Sequence, residues 1–166
     1  TMSLKDLASI LPVEFELRVA ESKPELVNWR WLSRNFELPE EMIERYEDYV
    51  DWHAVSKHQT LSEEFIDRHT DRVNWINVSI YQTLSEEFIE RYKDKVNWFA
   101  ISAYQKLSEP FIEKFRNRVD WKAISIHQKL SESFIERHKD RVDWDMIFRY
   151  QELSKEFIEK YKHKVN

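Results

Sequence analysis

The sequence predicts an all-α fold: an α-solenoid of six 23-residue helix-turn-helix repeats that follow an N-terminal helical cap. A tryptophan recurs every 23 residues from Trp29 to Trp144, and one valine, one leucine and one isoleucine recur with the same period. Each period also contains two separate helix-start signals. Because helices this short are marginal in isolation, neighbouring repeats must stabilise them by packing, which is the architecture of a solenoid.

The cap is the first element along the chain. Residues 1–26 do not match the repeat, and we expect two short helices there. Ser3 can cap a helix that reaches about residue 11, Pro12 can open the second helix, and Pro24 ends the segment. Six repeats then fill residues 27–166 without an insertion, at 27–49, 50–72, 73–95, 96–118, 119–141 and 142–164.

Each repeat is expected to hold two helices of about nine residues. In the second repeat, Asp51 precedes the first helix and Ser62 precedes the second. The side-chain oxygens of Asp and Ser accept the unsatisfied N–H groups of a helix start. With 100° of rotation per residue, the residues that face the core form two rows, Trp52, Val55, Ser56 and Gln59 in the first helix and Phe65, Ile66 and His69 in the second.

The composition excludes several classes of function. The chain has no glycine and no cysteine. It therefore has no glycine-rich phosphate loop, no G-x-S-x-G nucleophile elbow, no catalytic thiolate and no cysteine-bound zinc. A net charge of −5 argues against nucleic acid as a partner. No apolar run is long enough to span a membrane, and no secretory leader is visible. We therefore expect an intracellular, cytoplasmic protein without a cofactor, a metal or a membrane partner.

The histidines recur at positions that indicate a structural role. His58 and His127 share the ninth position of the repeat with tyrosines, and His69 and His138 share the twentieth with tyrosine and phenylalanine. A zinc ligand could not alternate with these residues in equivalent environments. Both positions are therefore interpreted as a polar aromatic ladder.

Charged residues form rows along the second helices. In the second repeat an acidic row consists of Glu63, Asp67 and Asp71. A neighbouring row, spaced for ion pairs within the helix, consists of Glu64, Arg68 and Arg72. Rows of alternating charge are typical of a solvated face rather than of catalytic carboxylates or a metal site. Basic residues at the ends of the repeats form a ridge that a phosphate backbone could follow, so nucleic-acid binding stays open as an alternative.

Two positions of the first helix vary between repeats and therefore lie outside the repetitive core. They are the fourth and eighth residues of each repeat. In the central repeats these positions hold the apolar residues Ile76, Ile80, Phe99, Ala103 and Ile126. The charged residues at the same positions include Arg30, Lys57 and Lys122. The pattern predicts an exposed apolar patch on the first helices of the central repeats, rimmed by charge, as at many interaction sites.

The repeat motif also resembles a known group of sequences. The stretches Val73-Asn74-Trp75 and Tyr81-Gln82-Thr83-Leu84-Ser85-Glu86-Glu87-Phe88-Ile89 resemble short tandem repeats in uncharacterised proteins of large DNA viruses and bacteriophages. The resemblance covers residues 27–166. It implies a helical-repeat fold and a viral origin, and it implies no activity, cofactor or site residue.

Together these observations predict a non-enzymatic module or scaffold that binds another protein. Phe99 and the isoleucines of the patch would dock, while Arg30, Lys57 and Lys122 would steer the partner. Two alternatives stay open: binding of nucleic acid along the basic ridge, and self-association as a structural viral component.

Overall fold

The computed structural model describes residues 13–165. Within this range the chain forms helices and turns and no strand, so the prediction of an all-α repeat fold of the solenoid type is confirmed. The first cap helix, expected between Ser3 and Leu11, lies outside the described residues. The second cap helix is α1 (Val13–Ser22), and a 3-10 turn at Pro24–Leu26 follows it.

Each repeat contributes two helices. The first helices are α2 (Trp29–Asn35), α4 (Trp52–His58), α6 (Trp75–Tyr81), α8 (Trp98–Tyr104), α10 (Trp121–His127) and α12 (Trp144–Tyr150). The second helices are α3 (Glu40–Arg45), α5 (Glu63–Arg68), α7 (Glu86–Arg91), α9 (Glu109–Lys114), α11 (Glu132–Arg137) and α13 (Lys155–Tyr161). A 3-10 turn at Lys162–Lys164 follows the last helix.

The chain divides into two compact units, Thr1–Gln82 and Thr83–Asn166, and the boundary falls inside the third repeat, between α6 and α7. Consecutive first helices pack against each other within each unit. In unit 1, α2 packs on α4 and α4 packs on α6. In unit 2, α8 packs on α10 and α10 packs on α12.

Side-chain caps fix the helix starts as the sequence predicts. Asp51 accepts a hydrogen bond from the Ala54 N–H, and Ser62 accepts one from the Phe65 N–H. The equivalent Asp, Asn or Ser residues cap the other helices of the repeats in the same way. The exception is α3, where Pro39 occupies the N-cap and makes no side-chain bond.

The helices are shorter than the expected nine residues. First helices have 7 residues, and second helices have 6, or 7 in the last repeat. Each first helix ends early because the residue that follows it is extended, such as Gln59 in the second repeat, with ψ near 147°, and Phe36 in the first, with ψ 148°. The second helix ends early because a tight turn follows it, in which the Arg72 and Val73 N–H groups both donate to the His69 carbonyl.

The core follows the predicted rows with one adjustment at tryptophan. Val55, Phe65 and Ile66 are fully buried, as expected. Trp52 is only half-buried, and its indole N–H donates to the Glu47 carbonyl at 2.8 Å. The indole therefore covers the edge of the core, and its N–H group keeps a hydrogen-bond partner.

Buried glutamines join consecutive repeats. In unit 1, Gln59 Nε2 donates to the Ser33 and Phe36 carbonyls, both at 2.7 Å, and Gln59 Oε1 accepts from the Leu38 N–H at 2.7 Å. The same three bonds are made by Gln82 in unit 1 and by Gln128 and Gln151 in unit 2. Every polar atom of the amide therefore binds the backbone of the preceding repeat.

A buried serine makes the second joint. Ser102 Oγ donates to the Trp98 carbonyl at 2.7 Å and accepts from the Asp120 N–H of the next repeat at 3.0 Å. Ser125 repeats both bonds, and Ser56 likewise accepts from the Asn74 N–H. These serines therefore hold the start of the next first helix in place.

Candidate functional site

In unit 1, the predicted patch residues lie on the outward side of three adjacent first helices. Ile76 has 55% of its surface exposed, and Ile80 is half-buried. Arg30 on α2 is exposed, and Lys57 on α4 is half-buried. Because α2 packs on α4 and α4 packs on α6, the surface passes from basic side chains on α2 to apolar side chains on α6.

In unit 2, the corresponding residues lie on α8 and α10. Phe99 has 58% of its surface exposed, and Lys122 is exposed. Ala103 and Ile126, the members of the eighth position, are half-buried. The apolar residues of the fourth position are therefore exposed, whereas those of the eighth position are half-buried and less exposed than expected.

The eighth position is partly covered by the ninth-position aromatic ring of the following repeat. In unit 1, Lys57 Nζ lies 5.5 Å from the centre of the Tyr81 ring. In unit 2, Ile126 and Tyr150 line the same cleft. A helical wheel drawn for one repeat cannot show this contact, because it joins residues 24 apart.

The ninth position carries exposed aromatic rings in each unit, although the sequence indicated only a structural role for it. Tyr81 is 49% exposed, Tyr104 is 59% exposed and Tyr150 is 53% exposed. In unit 2, the Tyr104 ring stacks on the His127 ring, with centres 6.4 Å apart. The signal that could have identified these tyrosines was their adjacency to the variable eighth position. Tyr81 therefore adds exposed ring surface to α6, the helix that carries Ile76, and Tyr104 adds it to α8, the helix that carries Phe99.

At the twentieth position the predicted polar aromatic ladder is buried. His69 packs on the Trp52 and Phe65 rings, and its Nε2 lies 3.0 Å from Glu44 Oε1 of the preceding repeat. The hydrogen bond from His69 lowers the pKa of Glu44 most, and the hydrogen bond from Arg68 lowers it further.

The same arrangement recurs in unit 2. There His138 is buried against Trp121 and pairs with Glu113, and the Tyr161 hydroxyl donates to Glu136. Within residues 13–165, no group of three or more His, Asp or Glu side chains is arranged to hold a metal ion.

The charged rows of the second helices pair between repeats rather than within a helix, which corrects the expected arrangement. Arg68 binds Glu44 at 2.7 Å, and Arg72 binds Asp48 at 2.6 Å. In unit 2, Lys114 binds Glu90, Arg118 binds Asp94 and Lys160 binds Glu136. The guanidinium groups of the basic ridge that make these pairs are therefore already engaged by neighbouring carboxylates.

The first helices of unit 1 also carry several basic side chains. Arg34 and His53 are exposed beside Lys57. Partial desolvation, followed by the charges of Lys57, Arg34 and His53, lowers the pKa of His58. These basic side chains therefore lie close enough to His58 for their charges to disfavour its protonation.

Comparisons of the chain with protein-family models, with curated proteins and with solved structures find no match. Among the helices of the described part of the chain, none combines the length and the apolar character that crossing a membrane requires.

Proposed function

We propose that the protein is a protein-interaction module that binds its partner through the outward side chains of its first helices. The observation that carries the proposal is the exposure of large apolar side chains there. Ile76 and Phe99 each leave more than half of their surface in solvent, and Tyr81 and Tyr104 on the same two helices are also exposed. Exposed aromatic and branched apolar groups beside cations are the usual anchors of an interface.

The contrast with the second helices supports the proposal. Several charged groups on and just after these helices are occupied in pairs between repeats, such as Glu90 with Lys114 and Asp94 with Arg118. Those pairs hold repeats together, so a partner would have to break them to bind there. The first helices offer instead variable side chains that can change without disturbing a joint between repeats.

The proposal includes a non-enzymatic scaffold role, an intracellular location and the viral origin that the repeat resemblance implies. Arg30, Lys57 and Lys122 would accelerate encounter with the partner rather than supply most of the affinity. Binding of nucleic acid along the basic ridge is disfavoured. Arg72 and Arg118 on that ridge already pair with carboxylates, and the chain carries a net charge of −5.

The test is affinity capture with nuclease-treated lysate, comparing wild type with the double variant Ile76→Glu/Phe99→Glu. A matched control, Leu26→Glu/Ile158→Glu, makes the same change at two exposed apolar residues that are not part of the first helices. We expect a protein that is captured by wild type and by the control and lost with the patch variant. Equal capture by all three proteins would refute the proposal. Capture of the chain itself alone, lost with the patch variant, would assign the surface to self-association.

A further inference from the structure

The first helices of unit 1 carry positively charged side chains although the chain as a whole is acidic. The segments WRWLSRN, WHAVSKH and WINVSIY contain Arg30, Arg34 and Lys57 and no Asp or Glu. The chain as a whole has a net charge of −5. Positive charge is therefore concentrated on α2 and α4, within an acidic protein.

These cations lack the carboxylate partners that Arg68, Lys114 and Lys160 have on the second helices. In the described part of the chain, no ion pair engages Arg30, Arg34 or Lys57, and Lys57 lies over the Tyr81 ring. Asp51, which precedes α4, is used as the cap of that helix and accepts from the Ala54 N–H. Three cationic head groups on one surface are thus available to an external anion.

Apolar side chains continue the same surface on α6. Ile76 and Tyr81 are about half exposed, and Ile80 is half-buried beside them. Two helix spacings of 8–10 Å separate α2 from α6, so the surface is roughly 16–20 Å across. A helical segment of about 12 residues covers that distance, since each residue rises 1.5 Å.

We propose that this basic-apolar surface, formed by Arg30, Arg34, His53, Lys57, Ile76 and Tyr81, binds an acidic protein segment that carries bulky apolar anchors. The inference rests on the proposed function and names the chemistry of the partner. Carboxylates of the segment lie over α2 and α4, and its apolar anchors pack on Ile76 and Tyr81. A protein segment is favoured over nucleic acid because isoleucines offer apolar contact without hydrogen bonds, and because the remaining acidic surface repels a polyanion.

The test is selection of random 16-residue peptides, displayed on phage, against the full chain. We expect the retained peptides to be enriched in Asp and Glu and to contain at least two large apolar residues. A synthetic copy of a retained peptide should bind Arg30→Glu/Lys57→Glu at least tenfold more weakly than wild type, measured by fluorescence anisotropy. Binding to wild type should weaken several-fold between 50 and 300 mM salt, because screening shortens the range of the attraction.

The charge-matched control is Arg137→Glu/Lys139→Glu, which reverses two exposed cations in unit 2. We expect it to bind the peptide within twofold of wild type, and circular dichroism must show that both variants are folded. Retained peptides without acidic enrichment, or acidic peptides that are insensitive to Arg30→Glu/Lys57→Glu, would overturn the inference. If such peptides were still lost with Ile76→Glu/Phe99→Glu, the proposed function would survive.

A parallel titration uses a 20-nucleotide single-stranded DNA as the probe. We expect no binding at 50 mM salt. Binding that disappears with Arg30→Glu/Lys57→Glu would assign the surface to a nucleic acid and overturn the inference.

Discussion

Replacing Gln128 by alanine tests whether the buried amide is a principal joint between repeats. Gln128 is 6% exposed, and its side chain makes three hydrogen bonds to the preceding repeat, to the Ser102 and Gln105 carbonyls and from the Leu107 N–H. A buried hydrogen bond contributes about 1 kcal/mol net, so Gln128→Ala should lower the free energy of unfolding by about 3 kcal/mol. For a chain of this size that corresponds to a fall in Tm of roughly 6–12 °C.

The same three bonds at Gln151 give an internal comparison. Gln151 is half-buried rather than buried, so water can reach the groups that its removal leaves unpaired. We expect Gln151→Ala to cost about half as much as Gln128→Ala. The exposed neighbour Lys129 supplies the control, because Lys129→Ala should change the free energy of unfolding by less than about 0.5 kcal/mol.

The assay is urea unfolding followed by both far-ultraviolet circular dichroism and tryptophan fluorescence, since repeat proteins can unfold in more than one step. A further variant, Gln128→Glu, places an acceptor against two carbonyl oxygens. Its stability should fall relative to Gln128→Ala as the pH rises above about 5, because the carboxyl ionises freely in the unfolded chain while the buried site disfavours its charge. If Gln128→Ala costs less than about 1 kcal/mol, or no more than Gln151→Ala, the glutamine is not the joint that its geometry indicates.

Three further predictions follow from the structure. Ser125→Ala should destabilise the fold by about 1–2 kcal/mol, because the partly buried Asp143 N–H loses its acceptor, and hydrogen exchange at that amide should accelerate in the variant. Glu44 has a pKa lowered from 4.5, so the folded state binds fewer protons there than the unfolded state. Its contribution is present above about pH 4.5 and is lost as the pH falls through the lowered pKa. The stability difference between wild type and Glu44→Gln, measured by urea unfolding at several pH values, should therefore shrink below pH 4.5. Ile76→Glu/Phe99→Glu should keep the wild-type free energy of unfolding within about 1 kcal/mol, as more than half of each side chain is exposed; a larger loss would mean that these residues belong to the core.

The helix starts could be predicted from the sequence because capping is local. Asp51 and Ser62 bind N–H groups three residues away, and the chemistry of one side chain decides the outcome. The burial of Val55 and Ile66 could also be predicted, since helical periodicity shows which side of a helix faces the core.

The joints between repeats could not be predicted in this way. Gln59 was placed in the core row, but its partners lie 21–26 residues away, and only the packing of one repeat on the next brings them together. For the same reason Arg68 was expected to pair within its own helix, whereas it pairs with Glu44. The half-burial of Ile126 also depends on the following repeat, which carries Tyr150 into the same cleft.

The candidate surface was predicted in its position and only partly in its composition. Variation at the fourth position of the repeat correctly indicated exposure of Ile76 and Phe99. The tyrosines of the ninth position were missed because an aromatic residue that recurs every 23 residues has the signature of a core. Recurrence alone does not distinguish a ring that packs inside a repeat from one that rests on the outside of its neighbour.

In the glutamine joint the two repeats have different roles, and this affects how the number of repeats in the gene can change. One repeat always supplies backbone carbonyls and an N–H, and the repeat after it always supplies the amide, as Gln59 does for Ser33 and Leu38. The first repeat, which follows the cap, has Phe36 at the glutamine position. An internal repeat duplicated or deleted in frame by unequal recombination leaves a matching donor and acceptor at the new boundary. Copy number can therefore drift without new compensating mutations at the joints, while selection acts separately on the outward residues of each copy.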